Sequence, residues 1–124
     1  MSALVEFDLA SVPLREVNAA LQKPSANDAC FEVANPMGQH AVACGLTQPL
    51  SVTINGHVGY YCAGMNQLAN IVVKGNAGTG VAENMMSGTV RVTGDASQSA
   101  GASGCGGMLV IEGDASARCA IALR

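Results

Sequence analysis

Four glycines, Gly56, Gly75, Gly94 and Gly113, follow one another at a constant interval of nineteen residues, and that interval restricts what the chain can fold into more than any other feature. Aligned on them, the sequence reads SVTINGHVGYYCAGMNQLA, NIVVKGNAGTGVAENMMSG, TVRVTGDASQSAGASGCGG and an incomplete MLVIEGDASARCAIALR. Four residues before the glycine stand Val52, Ile71, Val90 and Leu109; two before it stand Ile54, Val73, Val92 and Ile111. Two after it come Val58, Ala77, Ala96 and Ala115, and six after it Cys62, Val81, Ala100 and Cys119. Every member of these columns is apolar.

A self-similar period of this length denotes one small unit per repeat, which cannot bury its apolar side alone and must stack on its neighbours. The alternation before each glycine supplies a short strand with one face inward, because successive side chains on a strand point to opposite sides. The glycine then turns the chain, and His57, Asn76, Asp95 or Asp114 after it suits a corner where one residue takes a positive φ and the next caps a backbone group. Stacking at the strand spacing of ~4.8 Å turns each column into a continuous apolar ladder. The pattern predicts an all-β fold, a parallel β-helix of nineteen-residue coils.

Composition agrees with a thin solenoid. Hydrophobic residues make up 49% of the 124-residue chain, but aromatics only 3%, with no Trp. A sandwich of that size usually fills its core with large rings. Arg15, Lys23, Lys74, Arg91, Arg118 and Arg124 are scattered and the net charge is −3, whereas binding nucleic acid needs a clustered positive surface. No apolar run approaches the ~20 residues of a membrane span, and Glu6 and Asp8 stand where a secretory signal carries positive charge, so a cytoplasmic protein is expected. Five cysteines, Cys30, Cys44, Cys62, Cys105 and Cys119, form no CxxC pair, and most of them read as small buried hydrophobes.

All four prolines lie at or before Pro49, and thirteen of the fifteen glycines lie after it. Residues 1–49 are therefore expected to be an N-terminal helix and an irregular capping coil, and residues 50–124 the four repeats. Leu14, Val17 and Leu21 lie at helical spacing between Pro13 and Gln22, with Ser11 as the cap and Pro13 in the first turn. Such a helix would cover the end of the solenoid. Ala29 to Gly45 reads as a degenerate first coil, with Phe31 and Val33 alternating towards Gly38. The fourth repeat stops at Arg124 before its coil would close, which suggests either a fragment of a longer chain or an end covered by another.

The search for chemistry is brief. His40 and His57 lie outside any ligand spacing. Glu83 has no titratable partner for proton transfer. The glycines from Gly75 to Gly80 imitate a phosphate loop, but they occupy the recurring turn and no helix follows. Ser97, Ser99, Ser103 and Ser116 have no histidine at a suggestive spacing. No catalytic, cofactor-binding or metal residue is assigned. What stands out is Tyr60, Tyr61, Met65 and Asn66, with Glu83, Asn84, Met85 and Met86 in the next repeat; Tyr and Met are frequent at protein contacts, and these eight form the candidate partner interface.

The strings GHVGYYCAGMN, GNAGTGVAENMMSGTVRVTGDAS and GGMLVIEGDAS resemble the GXGXG domain at the C-terminus of the glutamate synthase large subunit. They are more similar still to its stand-alone form, the glutamate-synthase-like small subunit of N-methylglutamate synthase. The opening Phe7-Asp8-Leu9-Ala10 and Pro13-Leu14-Arg15-Glu16 shares the resemblance, which covers essentially the whole chain, although such subunits normally continue with further coils. It implies a right-handed helix that acts as a non-catalytic scaffold. Its implied partners are a class II amidotransferase-like subunit and a subunit with FMN and an iron–sulfur cluster, which carries the chemistry joining methylamine and glutamate. No cofactor is implied on this chain.

Three other readings share part of the pattern. The third subunit of formylmethanofuran dehydrogenase and of formyltransferase/hydrolase complexes has the same repeat, and GHVGYYCAGMN and AENMMSG tilt the choice away from it. A free-standing solenoid acting on polysaccharide would show aromatic platforms or paired carboxylates in register, which this sequence lacks. A left-handed hexapeptide acyltransferase would have a period that is a multiple of six.

Overall fold

The computed structural model describes residues 3–23, 28–78, 80–96 and 107–113. Within them lie strand β1 (Ala3–Asp8), helix α1 (Leu14–Gln22) and strands β2 (Asp28–Ala34), β3 (Ser51–Asn55), β4 (Asn70–Lys74), β5 (Thr89–Val92) and β6 (Met108–Ile111). All six strands join one sheet in chain order, and each pairs parallel to the next. Parallel neighbours in sequence require the chain to travel round and return, so the fold is a parallel β-solenoid of about four turns with one short helix.

The strand register reproduces the sequence period. Ser51, Asn70, Thr89 and Met108 are successive partners nineteen residues apart, whereas Cys30 pairs with Ser51 after twenty-one. The inward ladders run further than the repeats. Val5 and Phe31 extend the Val52 column, and Phe7 and Val33 extend the Ile54 column. Phe31, Val33, Val52, Ile54, Ile71, Val73, Val90 and Val92 are all buried, each removing apolar surface worth roughly 1.5–3 kcal/mol. The sheet thus begins inside the N-terminal segment, where β1 has no counterpart in the sequence reading. Val58, Ala77 and Ala96 join as parallel bridges on a second side, and Cys62 and Val81 are buried on a third. The expected column members Ala100, Ala115 and Cys119, with Asp114, Cys105, Ser97, Ser99, Ser103, Ser116, Arg118 and Arg124, lie outside the described residues.

The repeat glycines are needed for space rather than for an unusual φ. Of the four, only Gly56 has a positive φ, at 138°. A Cβ on Gly75 would stand 2.6 Å from the Gly56 carbonyl oxygen, and one on Gly113 2.6 Å from that of Gly94. Glycine stacks on glycine so closely that a side chain would strike backbone. The residue after the glycine caps the next coil, as expected: His57 Nδ1 accepts the Asn76 N–H at 2.9 Å and Asn76 Oδ1 accepts the Asp95 N–H at 2.9 Å.

Beyond the corner the backbone does something the pattern did not announce. Every second residue is left-handed: Ala41, Ala43 and Gly45 in one coil, Tyr61, Ala63 and Met65 in the next, Gly80, Ala82 and Asn84 in the one after, with φ between 56° and 81°. Such a residue other than glycine costs roughly 1–2 kcal/mol. The arcs offset this by bonding to one another. Ala63 N–H donates to Val42 O at 2.9 Å and Ala82 N–H to Cys62 O at 2.8 Å; in the opposite sense Gly45 N–H donates to Gly64 O and Met65 N–H to Glu83 O, both at 2.8 Å.

Helix α1 lies between β1 and β2, with Val17 and Leu21 buried. Its N-cap is Pro13, without a side-chain capping bond. Ser11 is two residues too early to cap it, and its hydroxyl donates to Asp8 O instead. The helix closes the arc beneath Ala41–Cys44. Asn18 Nδ2 donates to Ala41 O at 2.9 Å, Asn18 Oδ1 accepts the Ala43 N–H at 2.8 Å, and Gln22 Nε2 donates to Cys44 O at 2.8 Å.

Candidate partner-binding surface

The eight residues singled out in the sequence all fall on the arcs of the third and fourth coils, counting β1 as the start of the first, but alternation along each arc divides them between surface and interior. Tyr60, Met65 and Met86 are exposed, at 60%, 41% and 49%, and Leu68, which the sequence reading did not include, is exposed at 53%. The Tyr60 ring stacks on His40 with centroids 4.6 Å apart, while its backbone N–H donates to His40 Nδ1 at 2.8 Å. That pair holds the most exposed aromatic in a fixed orientation. Tyr61 is half-buried, its ring lying over Gly64, where a Cβ would come within 2.7 Å of Cδ2. Asn84 Nδ2 donates to its hydroxyl at 3.4 Å, and Glu83 is half-buried beside them.

Asn66 and Met85 do not belong to the surface. Both are fully buried. Met85 fills the interior that its neighbour Met86 faces away from. Asn66 Nδ2 donates to Ala69 O at 2.9 Å and Ser87 O at 3.0 Å, tying its own coil to the next. Its Oδ1 has no hydrogen-bond partner. Leu68 escaped notice because it stands outside the apolar columns, its counterpart in the next repeat being Ser87, whose hydroxyl accepts the Leu68 N–H at 2.9 Å.

Chemistry that needs an ionised thiol is disfavoured here. Burial, with the neighbouring Cys44 as a second cause, pushes the Cys62 thiol up to about 12, and burial also raises Cys44. A thiolate is the nucleophile and the metal ligand, and a neutral buried thiol is a small hydrophobe. Among the described residues no three His, Cys, Asp or Glu side chains come together so as to hold a metal ion. No helix among them is long and apolar enough to cross a membrane.

Fold and surface together define a β-solenoid that presents a fixed tyrosine and a rim of flexible apolar side chains. By sequence the chain is similar to Protein GlxC of Rhizobium meliloti (strain 1021), 57% identical over 61 residues. The matched stretch makes up 48% of this chain and 27% of that protein, so the chain spans about a quarter of its relative's length. No family model matches the chain, and no solved structure matches it.

Proposed function

We propose that the chain is a scaffold subunit of a glutamate-synthase-like enzyme, most specifically of N-methylglutamate synthase, in which it joins an amidotransferase-like subunit to one with FMN and an iron–sulfur cluster. The resemblance of GHVGYYCAGMN and GNAGTGVAENMMSGTVRVTGDAS to the glutamate synthase GXGXG domain carries the reading, and the likeness to Protein GlxC over 61 residues supports its glutamate-synthase-like part. The surface supports it too. Tyr60, Met65, Leu68 and Met86 expose apolar area on one run of arcs, where Tyr and Met give large, adaptable contact area at modest entropic cost. The arcs that carry them are held coil to coil by backbone hydrogen bonds, so a partner would meet a preorganised surface.

Affinity purification of the tagged chain from its native host, followed by native mass spectrometry, tests this reading. The expected result is stoichiometric recovery with two larger subunits, flavin absorbance residing in one of them and methylamine-dependent N-methylglutamate formation in the assembly. Recovery as an active single chain, or with partners that include no amidotransferase, would overturn it.

A further inference from the structure

Two histidines tie successive coils together through the same atom. His40 Nδ1, on the second coil, accepts the backbone N–H of Tyr60 on the third at 2.8 Å, and His57 Nδ1, on the third, accepts that of Asn76 on the fourth at 2.9 Å. Gly59 makes the first contact possible, since a Cβ there would overlap His40 Nδ1. Both histidines are exposed, so protons reach them without the fold opening. One coil further on, the same tie is made by a group that does not titrate: Asn76 Oδ1 accepts the Asp95 N–H at 2.9 Å.

A ring nitrogen accepts a hydrogen bond only while it carries no proton, and both nitrogens of an imidazolium are donors. Each tie therefore requires the neutral ring with its proton on Nε2. Protonation at Nδ1 sets one N–H against another, and the ring must flip or turn away. The ionisable groups around the two rings come from every side: Tyr60 itself, Arg15 and Glu16 of α1 in the turn before the Asn18 that bonds Ala41, Lys74 at the end of β4, and Asp95 one coil beyond Asn76. Asp8 and Glu32, on the strand ends before the corner, are bonded by Asn35 and Asn55. Carboxylates and cations are thus mixed there, and the loss of the two bonds decides the outcome.

We propose that His40 and His57 form a proton-sensitive fastening between coils, closed at neutral pH and released in mild acid, which loosens the arc that carries Tyr60. Ala41 N–H still donates to Tyr60 O at 2.6 Å after release, so the arc is loosened and stays folded. A cationic His40 keeps its attraction to the Tyr60 ring, whose centroid lies 4.6 Å away. Stacking supplies no acceptor for the Tyr60 N–H, which is left to solvent. The unfolded chain has neither tie to lose and takes up protons more readily than the folded one. Stability therefore falls as pH drops through the ordinary histidine value of ~6.5.

Asparagine is the replacement that the next corner already uses, and it keeps an acceptor at every pH in the range. In amide nitrogen–proton correlation spectra of the purified full chain, the Tyr60 and Asn76 signals are expected to move between about pH 7.5 and about pH 5.5, while that of Asp95 holds still. Over the same range the thermal midpoint of the parent should fall by about 4 °C more than that of a chain carrying both His40→Asn and His57→Asn. Equal declines in the two proteins overturn the proposal. So do Tyr60 and Asn76 amides that ignore the change in pH, or an Asp95 amide that moves as far as theirs. If the double variant does not fold, the spectra of the parent decide. Every measurement is made on the chain alone, so the result is independent of the subunit recovery described above.

Discussion

Asn18 Oδ1 accepts the backbone N–H of Ala43 at 2.8 Å, as Val42 O accepts that of Ala63 one coil further on. With Nδ2 donating to Ala41 O, the side-chain amide of Asn18 stands in for a peptide group of a coil that is not there. A helix thereby terminates a ladder of backbone bonds that would otherwise end on unpaired groups.

Asn18→Ala removes that substitute and leaves a part-buried N–H and C=O without partners. Each costs about 1 kcal/mol or more, so a loss of about 2 kcal/mol is expected in urea unfolding followed by far-UV circular dichroism. Asn18→Asp keeps the acceptor for Ala43 but cannot donate to Ala41 O, and it should recover none of the loss at neutral pH. A variant as stable as the parent would mean that water completes the arc equally well.

The glycine column yields a contrast between two glycine-to-alanine changes. Gly75 has an ordinary φ but no room, its Cβ meeting Gly56 O at 2.6 Å and His57 N at 3.0 Å. Gly38 has a φ of 74° and nothing within 4 Å of its Cβ. Gly75→Ala must push two coils apart and is expected to cost about 3 kcal/mol. Gly38→Ala meets only the left-handed penalty, about 1–2 kcal/mol. Equal costs in thermal or urea unfolding would show that the coils separate easily.

Most of the solenoid was legible in the sequence because strand alternation and a stacked corner each leave a columnar trace: Val52, Ile71 and Val90, then Gly56, Gly75 and Gly94, repeat at one period. The left-handed arcs left almost none. Their conformation is imposed by hydrogen bonding between coils, so Ala63, Tyr61 and Met65 adopt it against local preference. For the same reason the interface reading mixed interior with surface. Nothing local distinguishes Met85 from Met86, and the buried role of Asn66 depends on a Ser87 carbonyl twenty-one residues away. β1 was missed because it follows no repeat; α1 intervenes where an arc would stand.

Asn66→Asp is expected to be among the most damaging conservative changes in the chain. Both Nδ2 bonds, to Ala69 O and Ser87 O, would become contacts between a carboxylate and carbonyl oxygens in a fully buried place. A loss of about 3 kcal/mol or more follows from the unsatisfied acceptors and the buried charge. Asn66→Ala, which buries no charge, should cost less. The order of the two variants in a thermal melt at neutral pH checks the argument, and the reverse order would place the damage in lost packing.

Cys62 makes stability fall in alkali. Its thiol titrates near 9.0 ordinarily and at about 12 when folded, the shift caused by burial and then by Cys44. Because the folded value is the higher one, the contribution is complete below pH 9. Above it the unfolded chain releases a proton that the folded chain retains, and this favours unfolding by about 1.4 kcal/mol per pH unit until the folded thiol also ionises. Urea midpoints measured between pH 8 and pH 10.5 should decline more steeply in the parent than in Cys62→Ala, whose absolute stability is lower at pH 8 but whose alkaline slope is shallower. Thiol alkylation gives a second readout: exposed Cys30 reacts in the folded chain at pH 8, and Cys62 only as fast as the chain opens. Parallel slopes in the two proteins, or prompt labelling of Cys62, would show that the solenoid interior admits water at that coil.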